Sequence, residues 1–376
     1  MDPSAPDAVQ QHDSSDEEAT AARDLREAWS FWPQALQCPE QRFIGRDTLP
    51  EYGTYLNVID DHDKLDIPDS LGLRCPALKT LRLSCFKRMT MLPSTLTLLR
   101  HLETLELSTA LSLPALPDSL GDLVSLRRLE LHQCTSFTSL PDSLGKLSAL
   151  THLKVSACSK LTVLPDSLGD LSSLEELHVE NCQHLTALPD SMEGLVSLEE
   201  LAVHGSHHLT SLPDSLGYLP RLRRIYLRNL PCLTELPLSV GDFPALSSLS
   251  VERCHGLTSL PLSIGRFRSL LLFYVNDCPI TEVPYSVGDL SALGILSLQD
   301  CACLTKLPET MGRLASLTFL DISGCYMMEE LPRSLSALFG LQSRLVSRID
   351  RKNSNFYDHP DSIVLCRTLP APPTPA

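Results

Sequence analysis

Apolar side chains recur along most of this chain at a fixed interval, in the order L-x-x-L-x-L-x-x-C-x-x-L-x-x-L-P-x-S-L-G-x-L. Around Leu129, Glu130 and Leu131, apolar and polar residues alternate, as they do in a short strand with one buried face. The proline lacks an N–H group and cannot extend such a ladder, so it begins a return path. The Ser-Leu-Gly-x-Leu segment that follows predicts a short helical turn with its leucines facing inward.

The interval between units is nearly constant along the chain. The proline of the Leu-Pro pair, or of its equivalent, recurs every 24 residues at most steps, with single steps of 25 and 23. These prolines are Pro68, Pro93, Pro117, Pro141, Pro165, Pro189, Pro213, Pro237, Pro261, Pro284, Pro308 and Pro332. One unit is too small to bury its leucines alone, but stacked units bury them against one another. The sequence predicts an α/β repeat solenoid over 50–342.

The predicted solenoid has about twelve parallel strands on its concave face and short helical turns on its convex face. The first strand is degenerate and is predicted at Leu56 and Val58, which precede Pro68 by the usual distance. With neighbouring strands about 4.8 Å apart, the sheet would be on the order of 55 Å long. Such a sheet offers a large concave surface to a partner.

The ends of the chain depart from the repeat. Residues 1–19 are acidic and polar and are expected to be disordered. Residues 20–49 are expected to hold a short capping helix with Trp29 and Trp32, which could alternatively serve as a docking anchor. Residues 343–376 are expected to form a C-terminal cap and a Pro-rich disordered tail. The apolar stripe of the C-terminal cap consists of Leu338, Leu341, Leu345, Val346 and Ile349.

The residues that alternate with the core leucines are predicted to face outward on the concave side. In the first half of the solenoid they are charged and mixed, whereas the second half carries Tyr226, Leu272, Tyr274, Ile295 and Phe319. Aromatic and arginine side chains are the usual anchors of protein interfaces. The predicted contact residues are Arg224, Tyr226, Arg228, Leu272, Tyr274, His178 and His204. Scattered exposed apolar residues without a function are the alternative interpretation.

Two sets of residues could suggest metal chemistry, and neither fits it. Seven cysteines share one register, but a column places them in a line, whereas a metal needs ligands that converge. They are Cys134, Cys158, Cys182, Cys254, Cys278, Cys301 and Cys325. A buried ladder of small side chains with thiols near backbone carbonyls explains them better. Among the outward-facing histidines, His152, His178 and His204 step diagonally across the repeats, too far apart for zinc, which leaves a solvated face or a pH-sensitive partner contact.

Composition and motifs narrow the function further. A formal net charge of −15 disfavours nucleic acid and anionic membranes, because binding to phosphates rests on Lys and Arg. No secretory signal or membrane-spanning run is visible, and thirteen cysteines that follow the repeat favour a reducing cytoplasm. No phosphate-binding loop, zinc-protease or hydrolase motif occurs, and the tail around Cys366 is too short to build a pocket for a nucleophile. We therefore expect no enzyme activity and no catalytic, cofactor or metal site.

The repeated phrase resembles the leucine-rich-repeat (LRR) region of plant intracellular disease-resistance receptors and their LRR-only relatives, over about residues 50–342. It also resembles the LRR type III effectors that plant-pathogenic bacteria inject into host cells, and both alternatives stay open. The resemblance implies an LRR horseshoe that recognises proteins in plant immunity or host–pathogen interaction. In the effector case, a link to ubiquitin ligation is a further alternative. Since the segments on either side of the repeats are short, we expect neither a nucleotide-binding nor a ubiquitin-ligase domain in them. We expect a monomer in the cytoplasm of a eukaryotic cell, native or after injection.

Overall fold

The computed structural model describes residues 54–59, 67, 70–237, 243–339 and 364–366, and their strands form a single sheet. The strands are β1 (Tyr55–Ile59), β2 (Thr80–Ser84), β3 (Thr104–Ser108), β4 (Arg128–His132), β5 (His152–Ser156), β6 (Glu176–Glu180), β7 (Glu200–His204), β8 (Arg224–Arg228), β9 (Ser248–Glu252), β10 (Leu272–Asn276), β11 (Ile295–Ser297), β12 (Phe319–Asp321) and β13 (Val364–Cys366). Strands β1 to β12 are parallel and follow one another in chain order.

The register of the sheet places equivalent residues of successive repeats side by side. Leu129 of β4 pairs with Leu105 of β3 and with Leu153 of β5. Since these positions lie on one face of each strand, the leucines form continuous buried rows. The predicted solenoid of twelve parallel strands is confirmed, and its degenerate first strand is β1, in which Leu56 and Val58 are buried.

The helical turns between the strands are 3-10 helices, with two short α-helices at the ends of the series. The 3-10 helices are η1 (Ser94–Leu98), η2 (Asp118–Asp122), η3 (Asp142–Lys146), η4 (Asp166–Asp170), η5 (Asp214–Tyr218), η6 (Leu262–Arg266), η7 (Tyr285–Asp289) and η8 (Glu309–Arg313), and the α-helices are α1 (Leu71–Arg74) and α2 (Ser334–Phe339). Each 3-10 helix begins directly after a proline of the repeat; Pro141, for example, has φ −71° and ψ 147°. No helix among the described residues is long and apolar enough to cross a membrane.

Close stacking of the 3-10 helices explains the glycine of the repeat. A Cβ atom added to Gly145 of η3 would lie 2.5 Å from the carbonyl oxygen of Ser167 in η4. Real Cβ atoms do not approach a backbone oxygen so closely, so a side chain here would push the two repeats apart. In the unit Asp-Ser-Met-Glu-Gly at 190–194 the glycine comes one residue later, and this unit forms a turn without a 3-10 helix.

The chain turns after most strands through a residue with positive φ. Ala157, with φ 53°, follows β5, and its N–H donates to the carbonyl of Glu180 on the next strand at 2.8 Å. The N–H of Gly205 makes the same contact with Arg228. The left-handed residue therefore extends the hydrogen-bond ladder one step beyond each strand, at the start of the return path.

The predicted cap is described in part at the C-terminal end of the solenoid and not at the N-terminal end. Helix α2 packs its buried Leu335 and half-buried Leu338 on the core, while the rest of the predicted C-terminal stripe lies outside the described residues. The predicted N-terminal helix with Trp29 and Trp32 also lies outside them. Strand β13 was not predicted. It pairs antiparallel with β12, within a segment whose sequence lacks the repeat.

Candidate protein-binding surface

The outward face of the sheet carries the side chains that alternate with the core positions of each strand. On β8 these are Arg224, Tyr226 and Arg228. Because equivalent residues are in register, they form rows that cross the sheet from strand to strand. We name them the first, middle and third rows, which on β8 contain Arg224, Tyr226 and Arg228 respectively. We compare the early half of this face, β2 to β7, with the later half, β8 to β12.

Ion pairs cover the early half and its boundary with β8. Lys154 Nζ lies 3.0 Å from Glu180 Oε1 on the next strand. Glu200 of β7 is contacted on both sides, by His178 Nε2 at 3.0 Å and by Arg224 Nε at 2.6 Å. Such partly exposed pairs each contribute only about 0–1 kcal/mol to stability. Their main effect is therefore to fix the pattern of charge that this half presents.

An apolar strip crosses three strands of the later half. In the first row, Leu272 of β10 pairs with Ile295 of β11, which pairs with Phe319 of β12. All three side chains lie on the outward face and are partly exposed to solvent, although they are apolar. Leu271, which directly precedes β10 at the margin of the sheet, is 49% exposed. We name Leu272, Ile295 and Phe319 the apolar strip.

Two tyrosines stand beside this strip in the middle row. Tyr226 and Tyr274 lie on either side of Ser250, which pairs with both through the sheet register. Strands two apart are separated by roughly 10 Å. Ser250 is only 7% exposed, and Ala202, on the other side of Tyr226, is 4% exposed. The tyrosine rings, rather than the small residues between them, therefore form the outer surface.

The structure places all seven predicted contact residues at outward positions of β6, β7, β8 and β10. His204 pairs in register with Arg228, and His178 is separated from Tyr226 by one residue, Ala202. Sequence reasoning missed Glu200 and Leu271. The contacts of Glu200 with His178 and Arg224 depend on side-chain geometry, which the repeat pattern does not encode. Leu271 directly precedes β10, so the alternation along the strand does not include it.

His204 lies half-buried on β7, between charged groups of both neighbouring strands. Burial lowers the pKa of this imidazole below its ordinary value, and the charges of Arg228 and His178 act in the same direction. The carboxylates of Glu180 and Glu252 oppose them and favour the charged form. Since the burial effect is the largest, His204 favours its neutral form in the folded chain.

The column of seven cysteines is buried, as the packing interpretation predicts. Cys301 Sγ lies 3.1 Å from the carbonyl oxygen of Val275, and Cys325 Sγ lies 3.1 Å from that of Leu298. Burial raises the pKa of the Cys182 thiol to about 12, far from the range of a nucleophile. Among the described residues, no group of three or more His, Cys, Asp or Glu is placed to hold a metal. The side chain of Cys366 is not described.

The 24-residue unit, the parallel register and the 3-10 helices define a leucine-rich-repeat solenoid. A family model described as a leucine-rich repeat region matches residues 117–231, and a leucine-rich repeat model matches residues 316–338. The chain therefore has the leucine-rich-repeat fold, and its sequence matches leucine-rich-repeat models over these two segments. A search of curated proteins finds no match.

Several solved structures resemble this chain. A chain of the Drosophila Toll–Spatzle complex shares 22% identity with this chain and a TM-score of 0.51, over 68% of this chain and 37% of that one. The leucine-rich-repeat domain of the type III effector XopL shares 24% identity and a TM-score of 0.49, covering 80% and 90%. A leucine-rich-repeat protein of Leptospira interrogans shares 20% identity and a TM-score of 0.44, covering 73% and 85%. The Toll comparison supports the shared fold.

Proposed function

We propose that the chain is a protein-recognition module whose partner binds the later half of the concave face. The observation that carries this proposal is the apolar strip, which runs through three register-paired strands beside Tyr226 and Tyr274. Contiguous exposed apolar surface on a folded protein commonly marks an interaction site. Tyrosine and arginine side chains beside it match the composition of energetically important interface residues.

The scaffold is suited to holding these side chains in fixed positions. Every strand from β2 to β11 is paired on both sides, so a partner meets a surface ordered in advance. Ordering before binding lowers the entropy lost on association. The Toll structure, which shares the fold, was solved as a complex with Spatzle, so a solenoid of this kind does hold a protein ligand in that case.

We further propose that the chain acts as a monomeric binding scaffold rather than as an enzyme or a nucleic-acid-binding protein. The net charge of −15 supports the part of this proposal that concerns nucleic acid, because a phosphate backbone would be repelled. The resemblance of the repeat phrase to disease-resistance receptors and to injected effectors supports a role in plant immunity or host–pathogen interaction, in the cytoplasm of a eukaryotic cell. Identification of the protein that binds this chain, by the crosslinking experiment below, tests whether the role lies in plant immunity or host–pathogen interaction.

Site-specific photo-crosslinking tests the binding surface. A photoreactive phenylalanine analogue is placed at Tyr274 or at Tyr285, and the full chain is irradiated in an extract of the cells that contain it. Tyr285 is a matched control, since it is 63% exposed but lies on η7, away from the outward face of the sheet. We expect one protein to be crosslinked at 274 and not at 285. Crosslinking at 285 alone, or at neither position, contradicts the proposal.

A further inference from the structure

The arginines of β8 lie on the outer side of their carboxylate partners. The side chain of Arg224 is 38% exposed and that of its partner Glu200 is 17% exposed. Arg228 is 55% exposed, and Glu252, at 3.1 Å from it, is 31% exposed. A guanidinium carries five N–H donors, and Arg224 reaches Glu200 through Nε. An approaching group therefore meets the guanidinium groups more readily than the less exposed carboxylates.

The charge of β8 differs from that of the chain as a whole. Both of its polar outward positions are arginines, in a chain with a net charge of −15. On β9 to β12 the strand positions that face outward include no Lys or Arg. The two guanidinium groups are thus the cationic edge of the later half, whose other charged outward positions are the acidic Glu252 and Asp321. Tyr226 lies between the two arginines on the same strand.

The position of these groups restricts the chemistry of the partner. A partner that covers both the apolar strip and Tyr226 also covers the arginines on either side of Tyr226 on β8, and their N–H donors then lose water. Buried donors without an acceptor are unfavourable, and guanidinium pairs most strongly with carboxylate. A lysine or arginine of the partner would add like-charge repulsion at this edge instead. The favoured contact surface therefore has carboxylates on one side and apolar groups on the other.

We propose that the partner binds through a segment in which acidic side chains lie beside apolar or aromatic ones. The carboxylates pair with Arg224 and Arg228, and the apolar groups cover Tyr226, Tyr274 and the apolar strip. This inference rests on the proposed function and names the class of ligand that the later half selects.

Three synthetic peptides of equal length test the inference. They share the same Phe and Leu residues and carry Glu, Gln or Lys at all other positions, and their binding to the full chain is followed by fluorescence anisotropy. We expect the Glu peptide to bind at least about tenfold more tightly than the Lys peptide, with the Gln peptide between them. The double substitution Arg224→Gln and Arg228→Gln should remove most of that preference.

The matched control is Arg82→Gln in the early half. Arg82 Nε lies 2.7 Å from Glu106 Oε2, and its side chain is 41% exposed, much as for Arg224 and Glu200. This variant should keep the preference for the Glu peptide. Equal binding of the three peptides, a preference for Lys, equal loss in the Arg82 variant, or no binding at all overturns the inference.

The crosslinking experiment separates this inference from the proposed function. A protein captured at Tyr274 that binds wild type and the Arg224→Gln, Arg228→Gln variant equally well removes the acidic-segment inference and leaves the recognition surface standing. Absence of a crosslinked protein at 274 removes the proposed function, and with it the basis of the inference.

Discussion

The outward positions of β3 to β7 and those of β10 to β12 lie on one hydrogen-bond ladder, yet they present different chemistry. In the early half, Lys154 pairs with Glu180 and His178 with Glu200, so polar side chains on neighbouring strands contact one another within the sheet. In the later half, Leu272 and Phe319 occupy first-row positions that hold Arg128 and His152 in β4 and β5. The backbone and the core stay the same across this change.

The difference separates what specifies the fold from what specifies a partner. Inward positions repeat leucine, valine or isoleucine in nearly every unit, because each must fill the same space between neighbours. Outward positions have no such constraint, so their residues can differ from one unit to the next. Unpaired apolar surface gains free energy when a partner removes it from water. The later half is therefore the better candidate for recognition.

The largest expected effect tests whether the core really is equivalent in the two halves. Leu153 of β5 and Leu296 of β11 occupy the same inward position and are both buried. Replacing either with alanine should lower the free energy of unfolding by about 2–5 kcal/mol, since it removes apolar contacts and leaves a cavity. Chemical denaturation followed by circular dichroism measures both variants. A loss at one site with almost none at the other would contradict the equivalence.

A smaller effect on affinity is expected from the outward first row. The pair Leu272→Ser and Phe319→Ser should weaken binding of the crosslinked partner by about 2 kcal/mol or more, because it removes anchors of the apolar strip. The matched pair Arg128→Ser and His152→Ser changes the same row in the early half. It should leave affinity nearly unchanged when both variants are compared by biolayer interferometry. Equal weakening by the two pairs would show that the halves do not differ in recognition.

Most of the fold could be predicted from the sequence, because the same pattern of buried apolar residues followed by a proline recurs about twelve times. Alternation around Leu129 and Leu131 identifies the strand, and Pro141 marks where it cannot continue. The three-residue strand β13 had no such support: Val364–Cys366 stands alone, outside the repeat, and its pairing depends on a distant edge. The 3-10 form of the turns also required coordinates, since Ser-Leu-Gly-x-Leu suits several helical turns.

The candidate surface could be predicted only in part. Alternation placed Tyr226 and Tyr274 on the outward face, but it gave no sign that Ser250 would be covered between them. The opposing contacts of Glu200 with His178 and Arg224 depend on rotamers, which periodicity does not encode. The direction of the His204 pKa shift likewise required its burial to be known.

A pH experiment sharpens the comparison at the boundary between the halves. The folded chain holds the pKa of His204 below its ordinary value of about 6.5, so the unfolded chain binds more protons between these two values. Stability should therefore be complete above about pH 6.5 and fall as the pH drops from there through the folded pKa. Since His204 is half-exposed, solvent screening keeps the effect below about 1 kcal/mol.

The His204→Gln variant isolates this contribution, because glutamine keeps a polar group but cannot be protonated. Denaturation midpoints measured between about pH 5 and 7 should vary less with pH in this variant than in wild type. The measurement compares the two slopes, so shifts from other groups that titrate in the same range cancel. Identical slopes would show that His204 is not held neutral by its burial on β7.

The smallest expected effect concerns the left-handed turn that follows most of the described strands. Ala157 adopts φ 53°, which is unfavourable for a residue with a Cβ by about 1–2 kcal/mol. Ala157→Gly removes that strain but adds roughly 0.4–1 kcal/mol of unfolded-state entropy, so a net gain of about 0.5 kcal/mol is expected in thermal denaturation. Gly205 occupies the same position two repeats later, and a Cβ there would meet the side chain of Asn181. Gly205→Ala should therefore lower the stability of the chain. If Ala157→Gly and Gly205→Ala both raised the melting temperature, the positive φ angle would not be what favours glycine at this position.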